Sequence, residues 1–131
     1  MTRKLVSTGT SWERLFGYSR AVRAGDHVFV AGTTAVDDSG AVIGAGDPYA
    51  QAIAVLQKIE ASLAQAGASM RDVVRTRMYV TDMAHAELVG RAHGEIFGDI
   101  RPAATMVQVA NLIDPRLLVE IEADAVLRDD V

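Results

Sequence analysis

The chain of 131 residues contains no cysteine, and its aromatic residues make up only 5% of the sequence. Without cysteine it cannot form disulfides, thiolate nucleophiles or zinc sites with sulfur ligands. No apolar run approaches the roughly 20 residues that a membrane-spanning helix needs, and the first residues lack the apolar stretch of a secretory signal peptide. We therefore expect a soluble, cytoplasmic protein without a membrane partner.

Basic residues are too few and too scattered to predict binding of nucleic acid. The 13 basic and 17 acidic side chains give a net charge of -4, and no basic run or arm is present. Strong binding to a phosphate backbone requires clustered lysine and arginine. The length fits one domain over residues 1–131, and no linker or repeat interrupts it.

Two segments near the C terminus, 104–110 and 117–127, alternate as strands do. In the second, apolar residues alternate with Glu120, Glu122 and Asp124, which predicts one face in the core and one acidic face. Buried carboxylates without partners are unfavourable, so these acids need cations, donors or water. Suitable partners share one face of a strand predicted at 73–81, namely Arg75, Arg77 and Tyr79.

Further strands are predicted in the first third of the chain, at 3–8, 19–24, 27–32 and 41–43. A turn at Gly25 joins the second of these to the third, because glycine accepts a positive φ. A polar loop containing Trp12 and Phe16 is expected to separate the first two.

Two helices are predicted from apolar residues at three- and four-residue steps. The first begins after Asp47, a suitable N-cap, and ends at Gly67. The second runs from Met83 to Phe97 after a cap at Asp82. Its expected buried stripe consists of Leu88, Val89, Ala92 and Ile96. Inside this helix, two glycines one turn apart predict the close passage of another backbone, at Gly90 and Gly94.

The order of elements predicts an α+β fold, a mixed sheet with both helices on one face. The second sheet face is expected to carry Phe29, Tyr79, Ala104 and Met106. Because such a face is too apolar to remain fully exposed, we predict that a partner subunit covers it.

Common catalytic motifs are incomplete in this chain. The Gly44-Ala45-Gly46 segment precedes a helix but lacks the Lys-Ser/Thr of a phosphate loop. Residues 17–21 partly match a nucleophile elbow, yet a helix is not predicted after them. The three histidines form no HExxH pair. We predict no metal site and no cofactor.

Several segments together resemble the RidA family of enamine and imine deaminases, whose older names include liver perchloric-acid-soluble protein, endoribonuclease and translation inhibitor. They are GYS at 17–19, VFVAGTTA at 28–35, VVRTRMYVTD at 73–82, RPAATMV at 101–107 and VEIEADAV at 119–126. The resemblance covers nearly the whole chain. It implies a chorismate-mutase-like fold, a homotrimer with sites in clefts between subunits, and a small-molecule metabolite as ligand.

The resemblance also implies which residues form the site. Glu120 matches the acid that positions the attacking water, and Tyr18 matches the ring beside the substrate. Ala31 and Gly32 stand where the family has a serine or threonine before glycine. A structural role remains open for Glu120, as an ion-pair partner of Arg75 or Arg77, and for Tyr18, as a residue that packs at a subunit contact.

One departure from the family concerns the substrate carboxylate. Deaminating members carry an arginine that binds it, and the matching position here is Ala104. Arg101 is a candidate substitute cation, although a surface salt bridge would explain it equally, and Met106 completes the predicted substrate-binding residues.

Three functions remain open from the sequence. The first is an enzyme that hydrolyses enamine, imine or related metabolites and acts poorly on 2-aminoacrylate. The second is a homotrimer that binds a small metabolite without turnover. The third, a ribonuclease, is disfavoured by the acidic net charge.

Overall fold

In the computed structural model, which describes residues 2–128, six strands form one sheet. The strands are β1 (Arg3–Val6), β2 (Ala21–Ala24), β3 (His27–Thr34), β4 (Val73–Val80), β5 (Ala103–Gln108) and β6 (Val119–Val126). The α-helices are α1 (Ser11–Phe16), α2 (Pro48–Gln65) and α3 (Ala86–Phe97), with 3-10 turns at Met70–Asp72 and Met83–His85.

The sheet is mixed and has the order β1-β2-β3-β6-β4-β5. The β4–β5 pair is parallel and the other pairs are antiparallel. Helices α2 and α3 pack on one face, which confirms the predicted α+β architecture. We call the opposite side the open face. Within residues 2–128, no helix combines the length and apolar character needed to cross a bilayer.

The first long helix is built as its sequence predicts. The Asp47 side chain accepts a hydrogen bond from the Ala50 amide at 3.0 Å, and Pro48 occupies the first helical turn. Gly67 follows the helix with φ of +84°, a conformation that favours glycine. Inside the helix, the buried Gln51 binds Leu118 N and Arg116 O at 2.8 and 2.9 Å, and so fixes the entry to β6.

The segment after β1 is a short helix, α1, and the predicted loop is wrong. The Glu13 side chain is buried and accepts hydrogen bonds from the hydroxyls of Ser7, Thr8 and Thr10. Burial raises the pKa of Glu13, but these hydroxyl groups outweigh it and leave the pKa below its usual value. Six residues are too few for helical periodicity to be visible in the sequence. The helix is instead stabilised by these hydrogen bonds between its Glu13 side chain and the residues just before it.

Helix α3 differs from its prediction in three ways. It begins at Ala86 rather than Met83, because Asp82 caps a 3-10 turn instead. Leu88 is exposed, and the buried positions are Val89, Ala92 and Phe97, with Ile96 partly buried. A Cβ at Gly90 or Gly94 would meet no atom of the described residues within 4 Å. The predicted passage of another backbone there is therefore wrong within one chain.

The segment around Val42 forms only an isolated bridge to Val36, so the short strand predicted at 41–43 is reduced to one residue pair. Elsewhere the predicted strands are present, with ends that differ by a few residues.

Strand β6 lies at the centre of the sheet and separates apolar from acidic side chains. Its alternate residues Val119, Ile121, Ala123 and Ala125 are at most 1% exposed and contact the core under the helices. Its other face carries Glu120, Glu122 and Asp124 on the open side. This alternation confirms the predicted division of β6 into two faces.

The predicted partners of these acids are partly confirmed. Arg77 lies 3.1 Å from Asp124 and 3.6 Å from Glu122, and the Tyr79 hydroxyl donates to Glu122 at 2.8 Å. That hydrogen bond raises the pKa of Tyr79. Arg75 forms no ion pair within residues 2–128.

Strand β5 places two residues on a different face from the one predicted. Ala104 pairs in register with Thr76, and Met106 with Met78, and both partners are buried on the helix side. Directly paired residues of neighbouring strands share a face. Ala104 and Met106 therefore lie on the helix side, and the open face of β5 carries Ala103, Thr105 and Val107.

Candidate functional site

A β-bulge in β3 shapes the centre of the open face. The pairing of β3 with β6 runs through Val30 with Ala123 and resumes at Thr33 with Ile121. Two residues of β3, Ala31 and Gly32, therefore lie opposite the single residue Glu122. Bulges of this kind bend the strand and redirect side chains, and they occur often beside active sites.

Gly32 is in direct contact with the Glu120 carboxylate. A Cβ built on Gly32 would overlap Glu120 Oε2. The φ of Gly32 is not positive, so the reason for glycine here is the close approach of the carboxylate. The bulge and the carboxylate thus form one packed unit.

Glu120 differs from the two other acids of β6. Glu122 and Asp124 are bonded to Arg77 and Tyr79, whereas Glu120 forms no ion pair and no side-chain hydrogen bond with any described residue. Burial raises the pKa of Glu120, and the negative charge of Glu122 adds to this, while the charge of Arg20 opposes it. A half-buried carboxyl group with a raised pKa is typical of a general acid or base.

Arg20 lies beside this unit and was missed by the sequence reasoning. Its Nη2 donates to Gly32 O at 2.8 Å, and its guanidinium lies 5.5 Å from the centre of the Tyr18 ring. The β2–β3 hairpin pairs Ala24 with His27, and that register places Arg20 opposite Ala31. The turn at Gly25 sets this register, so the sequence could have predicted that Arg20 lies beside Ala31 and Gly32.

A shallow groove of about 720 Å³ lies next to this unit on the open face. Tyr18 and Ala31 line it together with apolar and acidic side chains, among them Val22, Phe29, Glu122 and Asp124. Tyr18 is held at the rim because its amide donates to Glu13 O at 3.0 Å, after Gly17 with φ of +73°. The structure therefore brings together four of the predicted site residues, namely Tyr18, Ala31, Gly32 and Glu120.

The three other predicted residues lie elsewhere in the single chain. In the sheet, Glu120 aligns with Tyr79 and then with Val107 on β5, three residues beyond Ala104. From strand spacing and rise, Ala104 is about 14 Å from Glu120. Met106 packs against the core on the helix side. Within one chain these two residues do not join Glu120.

Arg101 is also separate from Glu120 within the chain. It precedes β5, is exposed, and has a φ of +56°. Its amide donates to Phe97 O at 2.8 Å and so closes the end of α3. The cation that acts on Glu120 in the described part of the chain is Arg20.

No group of three or more potential ligands for a metal ion occurs among His, Asp and Glu of the described part of the chain. The polar groups at the site are one free carboxylate and backbone carbonyls, which accept hydrogen bonds, and one guanidinium, which donates them. This set favours chemistry by proton transfer and polar contacts.

The chain is similar to known proteins over most of its length. A family model described as endoribonuclease L-PSP matches residues 9–127. An uncharacterised protein of Streptomyces coelicolor is 41% identical over 120 residues, which cover 92% of this chain and 89% of that protein. The 3-aminoacrylate deaminase RutC of Acinetobacter baylyi is 34% identical over 108 residues, covering 82% of this chain and 85% of that enzyme.

A solved structure extends this similarity to the fold. The crystal structure of Rv2704 from Mycobacterium tuberculosis, a member of the YjgF/YER057c/UK114 family, superposes with a TM-score of 0.87. The two sequences are 51% identical, and the match covers 96% of this chain and 100% of the other chain.

The contact between Gly32 and Glu120 makes a testable prediction. Gly32→Ala should displace the Glu120 carboxylate, because the new methyl group would occupy the position of Oε2. A crystal structure of the variant would show the altered rotamer. The matched control is Gly90→Ala, where the new Cβ has no neighbour within 4 Å. We expect this control to raise the free energy of unfolding by about 0.5–1 kcal/mol, and an unmoved Glu120 in Gly32→Ala would contradict the proposed packing.

Proposed function

This chain belongs to the endoribonuclease L-PSP family, as its resemblance to RidA proteins predicted, and we propose that it hydrolyses enamine, imine or related metabolites. In this proposal Glu120 is the catalytic acid–base group, and the site lies in a cleft between subunits of a homotrimer. The deaminase name of the Acinetobacter relative supports hydrolysis of a C–N bond.

The observation that carries this proposal is the isolation of Glu120. Of the three acids on β6, Glu120 is the one without an ion pair or hydrogen bond among the described residues, and burial raises its pKa. A structural carboxylate would be expected to use the donors available on β4, as Glu122 and Asp124 do. The Glu120 carboxylate beside the bulge has no such partner, which supports its role in binding water or substrate.

The proposed reaction needs only proton transfer and a bound water. The Glu120 carboxylate accepts a proton from water as the water oxygen bonds to the imine carbon. The electron pair of the C=N bond moves to nitrogen, and Glu120 passes the proton taken from water to that nitrogen, which gives a neutral carbinolamine. Glu120 then takes the proton of the carbinolamine hydroxyl and transfers it to nitrogen as the C–N bond breaks, so ammonia or an amine leaves and a carbonyl product remains. Atoms and charges balance without an added cofactor.

The sheet geometry supports a site shared between subunits. Ala104 is about 14 Å from Glu120 within one chain, a distance that no side chain at position 104 would bridge. The open face also exposes large apolar side chains, among them Leu5, Phe29 and Val107. Because β5 is an edge strand, another copy of the chain that covers this face would also reach the edge of β5 and bring its Tyr18 or Glu120 toward position 104.

Position 104 limits the substrate class. Family members that deaminate 2-aminoacrylate use an arginine there, and alanine cannot form the bidentate contact with a carboxylate. We therefore propose that the substrate is held by other contacts and that 2-aminoacrylate is hydrolysed poorly. The same alanine favours a second function, the binding of a metabolite without turnover. The net charge of -4 does not support a ribonuclease.

We predict that turnover depends on Glu120. In a panel of imines without a carboxylate, Glu120→Gln should lower kcat by about 10²–10⁴-fold, because it removes the general base. Release of ammonia or amine gives the rate. Glu60→Gln, an exposed substitution on α2, is the matched control and should retain the rate of the parent protein. If no substrate shows a difference between these variants, the protein is a binding module or uses another base.

A second prediction concerns position 104. Ala104→Arg should increase hydrolysis of 2-aminoacrylate-type imines by about 10–100-fold, because a charge-assisted contact is worth about 1.5–3 kcal/mol. The control Gln57→Arg adds the same charge at an exposed position of α2, away from the open face, and should produce no gain. Adding Glu120→Ala to Ala104→Arg should abolish the gained activity. An equal gain from both arginine variants would contradict the site geometry.

The subunit arrangement is tested by the mass in solution. Light scattering should give a mass three times the 14.0 kDa of one chain. Phe29→Glu, on the exposed apolar part of the open face, should lower that mass, because it places a charge in the proposed contact. Glu60→Gln should leave it unchanged. A stable monomer with intact activity would contradict the shared site.

A further inference from the structure

The backbone of Arg20 is fixed in the sheet on both sides. Its amide donates to Val6 O at 2.9 Å, and its carbonyl accepts from Ala31 N at 3.0 Å. The next residue, Ala21, is buried on the helix side, so the Arg20 side chain projects toward the open face. The backbone from which the Arg20 side chain extends is therefore held as firmly as that of a residue inside a strand.

The guanidinium is also held. Nη2 donates to Gly32 O at 2.8 Å, and the Tyr18 ring lies 5.5 Å from the guanidinium carbon. Nε is buried and has no hydrogen-bond partner among the described residues. Leaving a buried donor of a charged group unpaired is unfavourable, so this placement is not explained by the stability of Arg20 alone.

Arg20 and Glu120 converge on the same glycine. The guanidinium binds the carbonyl of Gly32, and the Glu120 carboxylate occupies the space that a Cβ of Gly32 would take. The two charges are nevertheless not an ion pair, since no contact between them within 4 Å occurs in residues 2–128. The charge of Arg20 acts on Glu120 at short range while the carboxylate stays free.

The other titratable groups around Glu120 come from three elements. Glu122 on β6 is negative and opposes ionisation of Glu120. Tyr79 on β4 is the register partner of Glu120, but its hydroxyl is bonded to Glu122. Lys58 on α2 donates to Thr34 O and Val36 O at 2.7 and 2.9 Å. Burial and the charge of Arg20 lower the pKa of Lys58.

We propose that Arg20 is the positioning residue of Glu120: it fixes Gly32 against the carboxylate and supplies the positive charge that keeps this carboxylate ionised. The inference rests on the proposed function, in which ionised Glu120 is the base. It assigns to Arg20 a role that requires the guanidinium to be near Glu120 without neutralising it. Tyr18 contributes by holding the guanidinium from the other side.

The test measures the titration of the Glu120 side-chain carboxyl by carbon-13 NMR in the full-length protein. In Arg20→Gln the midpoint should move to higher pH by about one unit, because a nearby positive charge is lost. Arg20→Lys keeps the positive charge, so its Glu120 midpoint should stay close to that of the parent protein. Arg71→Gln removes an exposed arginine without an ion pair in the described residues and is the matched control. Arg20→Met replaces Arg20→Gln if the glutamine variant does not fold.

The amide signal of Gly32 provides a second readout. It should move in both Arg20 variants, because each loses the guanidinium contact with Gly32 O, and it should stay in place in Arg71→Gln. Where turnover is measured, the acid side of the pH profile should move with the Glu120 midpoint. A midpoint in Arg20→Gln equal to that in Arg71→Gln overturns the inference.

The outcomes separate this inference from the proposed function. If Glu120→Gln abolishes turnover but the midpoint does not respond to Arg20, the positioning role is wrong and the enzyme assignment stands. If the midpoint responds to Arg20 and no imine is hydrolysed, the charge relation is supported and the enzyme assignment fails.

Discussion

The structure depends on β6 burying one face completely while the other carries three carboxylates. Val119, Ile121 and Ala123 lie in the core under α2 and α3, so the strand cannot rotate or slip by one residue without burying acids. Slippage would place charged groups among apolar side chains at a cost of several kcal/mol. The backbone position of Glu120 is therefore fixed by the core rather than by contacts of its side chain.

This constraint explains how a carboxylate without a partner is tolerated. Two of the three acids are satisfied by Arg77 and Tyr79, and these contacts contribute to the packing of β4 on β6. Glu120 lies against the bulge of β3, where Gly32 leaves room for its oxygen. An acid held by the strand, rather than by an ion pair, stays available for proton transfer. The proposed catalytic role follows from this division among the three acids.

Local patterns in the sequence were reliable for long elements. Asp47 and Pro48 marked the start of α2, and strict alternation marked β6, because caps and hydrophobic periodicity act within a few residues. They failed in two places. Helix α1 is too short to show periodicity, and it depends on side-chain hydrogen bonds to the buried Glu13. Ala104 was assigned to the wrong face because its register with Thr76 arises from a parallel pairing between distant segments.

By itself the sequence determined the α+β elements, the acidic face of β6 and the family resemblance, since all three are encoded by residue type and spacing. Only the tertiary structure decided which acid lacks a partner, that Arg20 and Glu120 meet at Gly32, and that position 104 is remote from both. These relations depend on the strand order β3-β6-β4-β5 and on a bulge that shifts the register. Neither leaves a periodic signal, because strand neighbours are chosen by packing of the whole sheet and not by the residues next to them in the chain.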